Sequence, residues 1–430
     1  MVNNHEEGDA PAVAELHCDG ASAAVGHSDA PEFAPSATRS QPTPPKRRRR
    51  KRRRRGVFVR EPEEQAVRPA AVTPAAALPA DVRRSFAYAA RLEQQDALYA
   101  ALDLGTNNCR LLVATPSRPG QFRVVDAFSR IVRLGEGLAA SGRLSDAAME
   151  RAVDALAVCA QKLTGRQLSG VRMIATEACR SAANGQDFLK RVRRETGLEL
   201  EIIDRRTEAR LAVSGCGSLV TRDTDGVVLF DIGGGSSEIA LIDLSRHRTP
   251  RLADHIVSWT SLPTGVVSLA ERFGGRNVTR ETFEAMIADV SEMLAQFDGG
   301  GRLAHITATG RFHLLGTSGT VTTLAGVHLG LKRYDRRRVD GLWMERASVD
   351  RMIETILGWS FHERKANPCI GSERADLVLA GCAILEAIRR HWPAERLRVA
   401  DRGLREGMLN EMMARDGVWR RRKRVEAEPA

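Results

Sequence analysis

The 430-residue sequence predicts an α/β fold of two similar domains facing one cleft, and three observations predict it. The first is a hairpin signal at residues 227–243, VVLFDIGGGSSEIALID. An apolar run enters Asp231, the glycines Gly233, Gly234 and Gly235 make a turn, and a second apolar run leaves after Glu238. The second observation is that the pattern recurs. In residues 101–114, ALDLGTNNCRLLVA, Asp103 aligns with Asp231, Gly105 with Gly233 and Arg110 with Glu238, all at one offset. The third is that each hairpin is followed by strand and helix patterns, as in sheets covered by helices.

Composition narrows the class before any motif does. The length suits two to three domains with ample cores. Seven cysteines, an odd number with no CxxC pair, argue against a disulfide frame or zinc site and fit a reducing cytoplasm. No run of about 18 apolar residues occurs, so no membrane span is expected. The N-terminus is polar and lacks an apolar signal core. Net charge is +11, but residues 46–55, KRRRRKRRRR, supply ten adjacent cations, so the high pI describes an arm more than a body.

Taken in order, residues 1–95 are rich in Ala, Pro, Ser and charge and are expected to be disordered, with 83–94 a short helix at most. Strands are expected at 99–103, 109–114 and 122–127. Ser145 caps a helix whose apolar positions Met149, Val153, Leu156, Ala160 and Leu163 form a core stripe. A strand at 171–175 delivers Thr176, Glu177 and Arg180 to a loop, and a strand at 198–203 leads into a helix at 207–219. The second half repeats the opening with strands at 227–231, 236–243 and 252–259, then a Thr279-capped helix to about Phe297. A strand at 313–316 enters a turn at 317–320, and a helix begins with Val321. Helices at 347–358 and 373–389, a strand at 396–400 and a helix at 404–413 complete the chain.

The hairpin turns carry the first chemical hint. Glycine permits positive φ and lets a ligand approach without a Cβ in the way. Consecutive N–H groups in such a turn make a concavity for an anion, typically phosphate. Adjacent carboxylates, Asp231, Glu238 and Asp103, add what a magnesium-phosphate site needs.

Two such hairpins resemble the phosphate loops of the actin, sugar kinase and heat-shock ATPase superfold, whose domains are ribonuclease-H-like. Within it, DLGTNNCRLLVA, ATEACRSAANG, FDIGGGSSE, GTSGTVTTLAG, ERADLVLAGCAIL and DRGLREGML resemble, in the family's order, the exopolyphosphatase / guanosine pentaphosphate phosphohydrolase family. The match covers roughly Leu98 to Met413. It implies a first α/β domain at 96–215 joined by a returning helix at 403–415, a second at 216–402, and a basic tail at 416–430.

The resemblance also implies the activity: attack of water on the terminal phosphoryl group of inorganic polyphosphate or of guanosine pentaphosphate (pppGpp). It makes Glu208 the catalytic base and Asp231, Glu238 and then Asp103 the ligands of Mg²⁺. Phosphate donors are expected from Gly105, Thr106, Asn107 and Asn108, and from Gly233, Gly234, Gly235 and Ser236. A third turn, Gly316, Thr317, Ser318, Gly319 and Thr320, precedes a helix whose N-terminus favours an anion. Arg180 and Arg374 fall in family motifs and are expected to reach substrate, with Arg110 packing in its hairpin. Asn108 stands where the family usually has serine, Ser237 where it has threonine, and Ala380 where proline is common; none of these removes a charge.

A sugar- or acetate-kinase-like phosphotransferase shares the fold and would add an adenosine pocket. A non-catalytic alarmone or phosphate sensor would lack Glu208 or Asp231, and both are present. No GxxxxGK[ST] occurs, which excludes a Walker-type NTPase. Polyphosphate is the preferred substrate because no guanine-reading pocket is legible. The arm at 46–55 is expected to gather polyanion, polyphosphate first and RNA second, with counterion release as the driving force. A homodimer is left open.

Overall fold

The computed structural model describes residues 97–307 and 309–419. The expectations for 1–95, including the 46–55 arm and the 83–94 helix, lie outside the described residues, as does most of the 416–430 tail. No helix among the described residues is long and apolar enough to cross a membrane.

Two mixed sheets form the frame. The first runs β1 (Tyr99–Leu104), β2 (Asn108–Pro116), β3 (Phe122–Ile131), β4 (Gly170–Ala175) and β5 (Glu201–Ile202), in spatial order β3-β2-β1-β4-β5. The second runs β6 (Gly226–Ile232), β7 (Ser237–Asp243), β8 (Ile256–Leu262), β9 (Phe312–Thr317), β10 (Trp343–Glu345) and β11 (Arg396–Val399), in order β10-β11-β9-β6-β7-β8. In each, two antiparallel steps lead out to an edge, while the central strand pairs in parallel on its other side, β1 with β4 and β6 with β9. The repeat read from the two hairpins is therefore a repeat of whole sheets.

Between the sheets lie helices Arg205–Cys216 and Leu404–Arg415. Met408, Leu409, Met412 and Met413 share one apolar core with Tyr99 and Ala101 of β1 and with Val227 and Leu229 of β6. The helix backbones nearly touch. A Cβ on Gly407 would sit 2.1 Å from the Leu211 carbonyl oxygen, and one on Gly215 would sit 2.1 Å from that of Gly403. Only glycine fits at both positions.

The predicted caps hold: Ser145 accepts from the Ala148 N–H, and Thr279 from the Thr282 N–H. Several boundaries differ from expectation, each for a local reason. Residues 252–255 are a 3₁₀ turn and β8 starts only at Ile256. There the Asp254 N–H bonds back to Arg251 and the Thr249 N–H donates to His255 Nε2, so the backbone is satisfied without a ladder. The strand expected at 198–203 pairs only over Glu201–Ile202, and beyond it β4 has already ended at Ala175. Residues 373–377 are a turn, with the helix at Val378–His391. The segment after β4 is a short helix, Glu177–Ser181, and the third phosphate-type turn is already the start of helix Ser318–His328. Strand β10 and helices Gly185–Thr196 and Val266–Phe273 were not anticipated.

Candidate active site

The two hairpins close alike. The Gly105 N–H donates to the Asn108 carbonyl at 2.9 Å, and the Gly233 N–H to the Ser236 carbonyl at 3.0 Å. Their aligned charges are ladder partners: Asp103 faces Arg110, and Asp231 faces Glu238. Both turns stand at the carboxyl ends of parallel-paired strands, where α/β sheets bind ligands. The end of β9 sets Thr317 beside Asp231. Ser318 follows with φ 72 and donates its hydroxyl to the Asp231 carboxylate. A left-handed serine costs roughly 1–3 kcal/mol, a strain typical of functional sites.

The glycines serve close approach. None of Gly105, Gly233, Gly234 or Gly235 has positive φ, contrary to the conformational argument from sequence. Instead the hairpin tips touch. A Cβ on Gly234 would sit 3.0 Å from Thr106 Cβ, and one on Gly235 would sit 2.9 Å from Thr106 Oγ1. Gly265 supports the second tip from behind, where a Cβ would fall 2.4 Å from the Gly234 carbonyl carbon. Gly265→Ala is therefore expected to destabilise the protein by about 1–3 kcal/mol, as other overpacked sites do. Gly301→Ala, with nothing within 4 Å of the new methyl, should leave the melting temperature unchanged. A thermal melt of both variants checks this.

The tips open onto a cavity of about 120 Å³. Its walls include Asp103, the backbone of residues 105–108, Glu208, Asp231, residues 233–236, Glu238, residues 318–320 and Arg374. Of the residues expected from sequence, three stand apart. Gly316 is packed behind the site, where a Cβ would meet Phe230 and Val321 at 2.6 Å. Thr317 turns its hydroxyl to the Arg402 carbonyl at 2.6 Å. Arg180 lies behind Glu208. Arg110, expected to pack in its hairpin, lines the cavity.

Glu208 occupies the first turn of helix Arg205–Cys216, which Asp204 caps by accepting from the Thr207 N–H at 2.6 Å. The glutamate is only 6% exposed. Arg180 Nη1 donates to Glu208 Oε2 at 3.0 Å and to the Ile203 carbonyl at 2.7 Å, while Nε donates to Glu177 at 3.0 Å. Glu177 also accepts from Arg205 and Ser181, so it fixes the arginine that fixes Glu208. Sequence reasoning placed Glu177 on a loop and gave it no role. It also missed Ser261, which donates to Glu238 Oε1 at 2.8 Å from directly across the ladder. The strand expected at 252–259 stopped short of Ser261, which β8 includes.

Crowding of acids sets the electrostatics. Burial, then the neighbouring Asp231, pushes Glu238 up to about 7. Burial raises Asp103 to about 6 and also raises Asp231, against the Ser318 hydrogen bond. Burial, then Glu238, raises Glu208 well above the usual carboxylate range. A cavity with four such carboxylates and phosphate-type turns calls for cations. No cluster of three or more His, Cys, Asp or Glu side chains among the described residues encloses a metal by itself. Asp231, Glu238 and Asp103 line the cavity and are the carboxylates that could hold a hard cation such as Mg²⁺, which takes one or two carboxylates and completes its shell with other oxygens.

Comparison with known proteins places this geometry. The model of the Ppx/GppA phosphatase family matches residues 113–416. A curated relative, the guanosine-5'-triphosphate,3'-diphosphate pyrophosphatase of Photobacterium profundum, is 29% identical over 322 residues, or 74% of this chain. The chain spans 60% of that relative's length. The crystal structure of an Aquifex aeolicus member of the Ppx/GppA family superposes with a TM-score of 0.60 at 26% identity, covering 74% of this chain and 98% of the other. An exopolyphosphatase from Cytophaga hutchinsonii shares the fold, with a TM-score of 0.65 at 23% identity over 74% of this chain and 98% of its own.

Proposed function

The chain belongs to the Ppx/GppA phosphatase family, and from that premise we propose that it hydrolyses a terminal phosphoanhydride, releasing orthophosphate from inorganic polyphosphate. One observation carries the reading: Glu208, both hairpin tips and the Asp231–Glu238 pair line a single cavity. In this reading residues 96–215 with helix 403–415, and residues 216–402, are the two domains on either side of it.

Phosphoryl transfer asks for positioning and charge neutralisation more than covalent chemistry. Arg180 holds Oε2 of Glu208, leaving Oε1 to take a proton from water. As that proton leaves, the water oxygen bonds to the terminal phosphorus and the bridging P–O bond breaks. The shortened chain departs with the electron pair. Backbone N–H groups of the tips, at Thr106 and Asn107 and at Gly234 and Gly235, and of residues 318–320 would meet the phosphoryl oxygens, together with Arg374. Asp231 and Glu238, with Asp103 beside them, would hold magnesium, whose charge when bound offsets that of the phosphate oxygens.

Polyphosphate is favoured because, among the described residues, the lining of the cavity holds no aromatic ring to stack a base. The pppGpp reading rests on the name of the Photobacterium relative. Phosphate release measured from long polyphosphate and from pppGpp with one preparation decides. The expected result is a higher kcat/KM on polyphosphate. A rate on pppGpp far above it would make the alarmone the substrate.

A further inference from the structure

Arg133 follows β3 and has φ 46, one of two non-glycine residues among those described with positive φ. The other, Ser318, touches Asp231 in the site. Arg133 is not part of this cavity's lining among the described residues, yet its bonds reach both sides of it. Its backbone N–H donates to the Asn107 carbonyl at 3.1 Å, and the neighbouring Gly135 N–H donates to that of Thr106 at 2.9 Å. These are the carbonyls at the tip of the first hairpin. Its guanidinium reaches the turn that carries Arg374. Nη1 and Nη2 grip the Asp376 carboxylate at 3.0 and 3.1 Å, and Nη2 donates to the Glu373 carbonyl at 3.0 Å.

Side chains from outside the turn tie the residues that flank Arg374, whose carbonyl accepts from the Leu377 and Val378 N–H groups within it. Arg133 holds Glu373 and Asp376. The buried Arg364 holds the Ala375 carbonyl at 3.0 Å. Arg374 has no ion pair among the described residues, and its Nη1 would lie 4.0 Å from a Cβ on Gly319. The left-handed backbone of Arg133 sends its N–H to one hairpin and its side chain to the opposite turn. Strain of this kind persists only where surrounding contacts over-determine it.

We infer that Arg133 is a positioning residue that fixes the first hairpin tip relative to Arg374, so that both engage the same phosphate chain. The inference rests on the hydrolase reading above. Because Arg133 acts on binding groups and not on Glu208, its loss should appear in KM. A planar, bidentate grip on a carboxylate is specific to arginine, so lysine should not replace it fully.

The test compares Arg133→Gly, which removes the side chain and the φ strain together, with Arg133→Lys, Asp376→Asn and the double variant Arg133→Gly/Asp376→Asn. Arg133→Gly is expected to raise KM about tenfold with kcat nearly unchanged, a loss of binding held equally in ground and transition states. Arg133→Lys should fall in between. The double variant should be no worse than the worse single, since both remove one interaction. Hydrogen exchange of the Leu377 and Val378 amides, which bond to the Arg374 carbonyl, should quicken in Arg133→Gly whether or not turnover is measured. An unchanged KM beside an active wild type overturns the inference, and so does unchanged exchange. A wild type that releases no phosphate from either substrate counts against the hydrolase reading instead, and exchange then decides the coupling alone.

Discussion

Glu208→Gln is expected to lower turnover at least ~10²-fold while leaving KM within a few-fold of wild type. Glutamine keeps the shape of the side chain and an acceptor for Arg180, which stays anchored to Glu177 and the Ile203 carbonyl. Only the proposed base is lost. Removing one charge from a crowded acid cluster should leave the fold at least as stable, because burial and Glu238 already disfavour the ionised glutamate. Steady-state phosphate release with a thermal melt of the same preparation checks both parts. A folded variant with near-wild-type turnover would remove Glu208 from the role of base.

Chelation of divalent cations is expected to abolish phosphate release, and magnesium to restore it. A second readout needs no substrate. Carboxyls raised by burial, Glu238 to about 7 and Asp103 to about 6, bind more protons folded than unfolded. The stability they contribute is full below the ordinary carboxylate range and is lost as pH rises through the folded values. Lowered acids such as Glu177 and Glu406 act below that range, whereas His313, pushed down to about 4 by burial, opposes the fall up to the ordinary histidine value of about 6.5. The chelated protein's Tm should therefore fall as pH rises from about 6.5 to about 8, and magnesium should flatten the fall. Full activity in EDTA would refute the metal role.

The sequence showed the frame of this site more clearly than its supports. The common offset of Asp103 with Asp231 and of Arg110 with Glu238 was legible, and in the fold these residues are direct ladder partners. The glycines were found for the wrong reason. Positive φ is a local property and was the natural guess, whereas the true constraint is contact between Gly234 and Thr106, far apart in sequence. Gly316 and Thr317 were included because a turn was expected there, but the strand runs through them, packing the Gly316 backbone against Phe230 and Val321 and turning the Thr317 hydroxyl to the Arg402 carbonyl. Ser261 and Arg133 act through partners from other elements, and Glu177 joins Arg180 of its own helix to Arg205 of another. No periodicity or motif spacing encodes an arginine that meets Asp376 from the other side of the cavity.

Hydrolysis of polyphosphate in water labelled with heavy oxygen tests the central claim most directly, because it reports which phosphorus the water attacks. Attack at the chain end in the cavity of Glu208, Asp231 and the two hairpin tips predicts one labelled oxygen in each released orthophosphate and none in the shortened chain. Unlabelled orthophosphate with the label left in the chain, or release of pyrophosphate units, would contradict it.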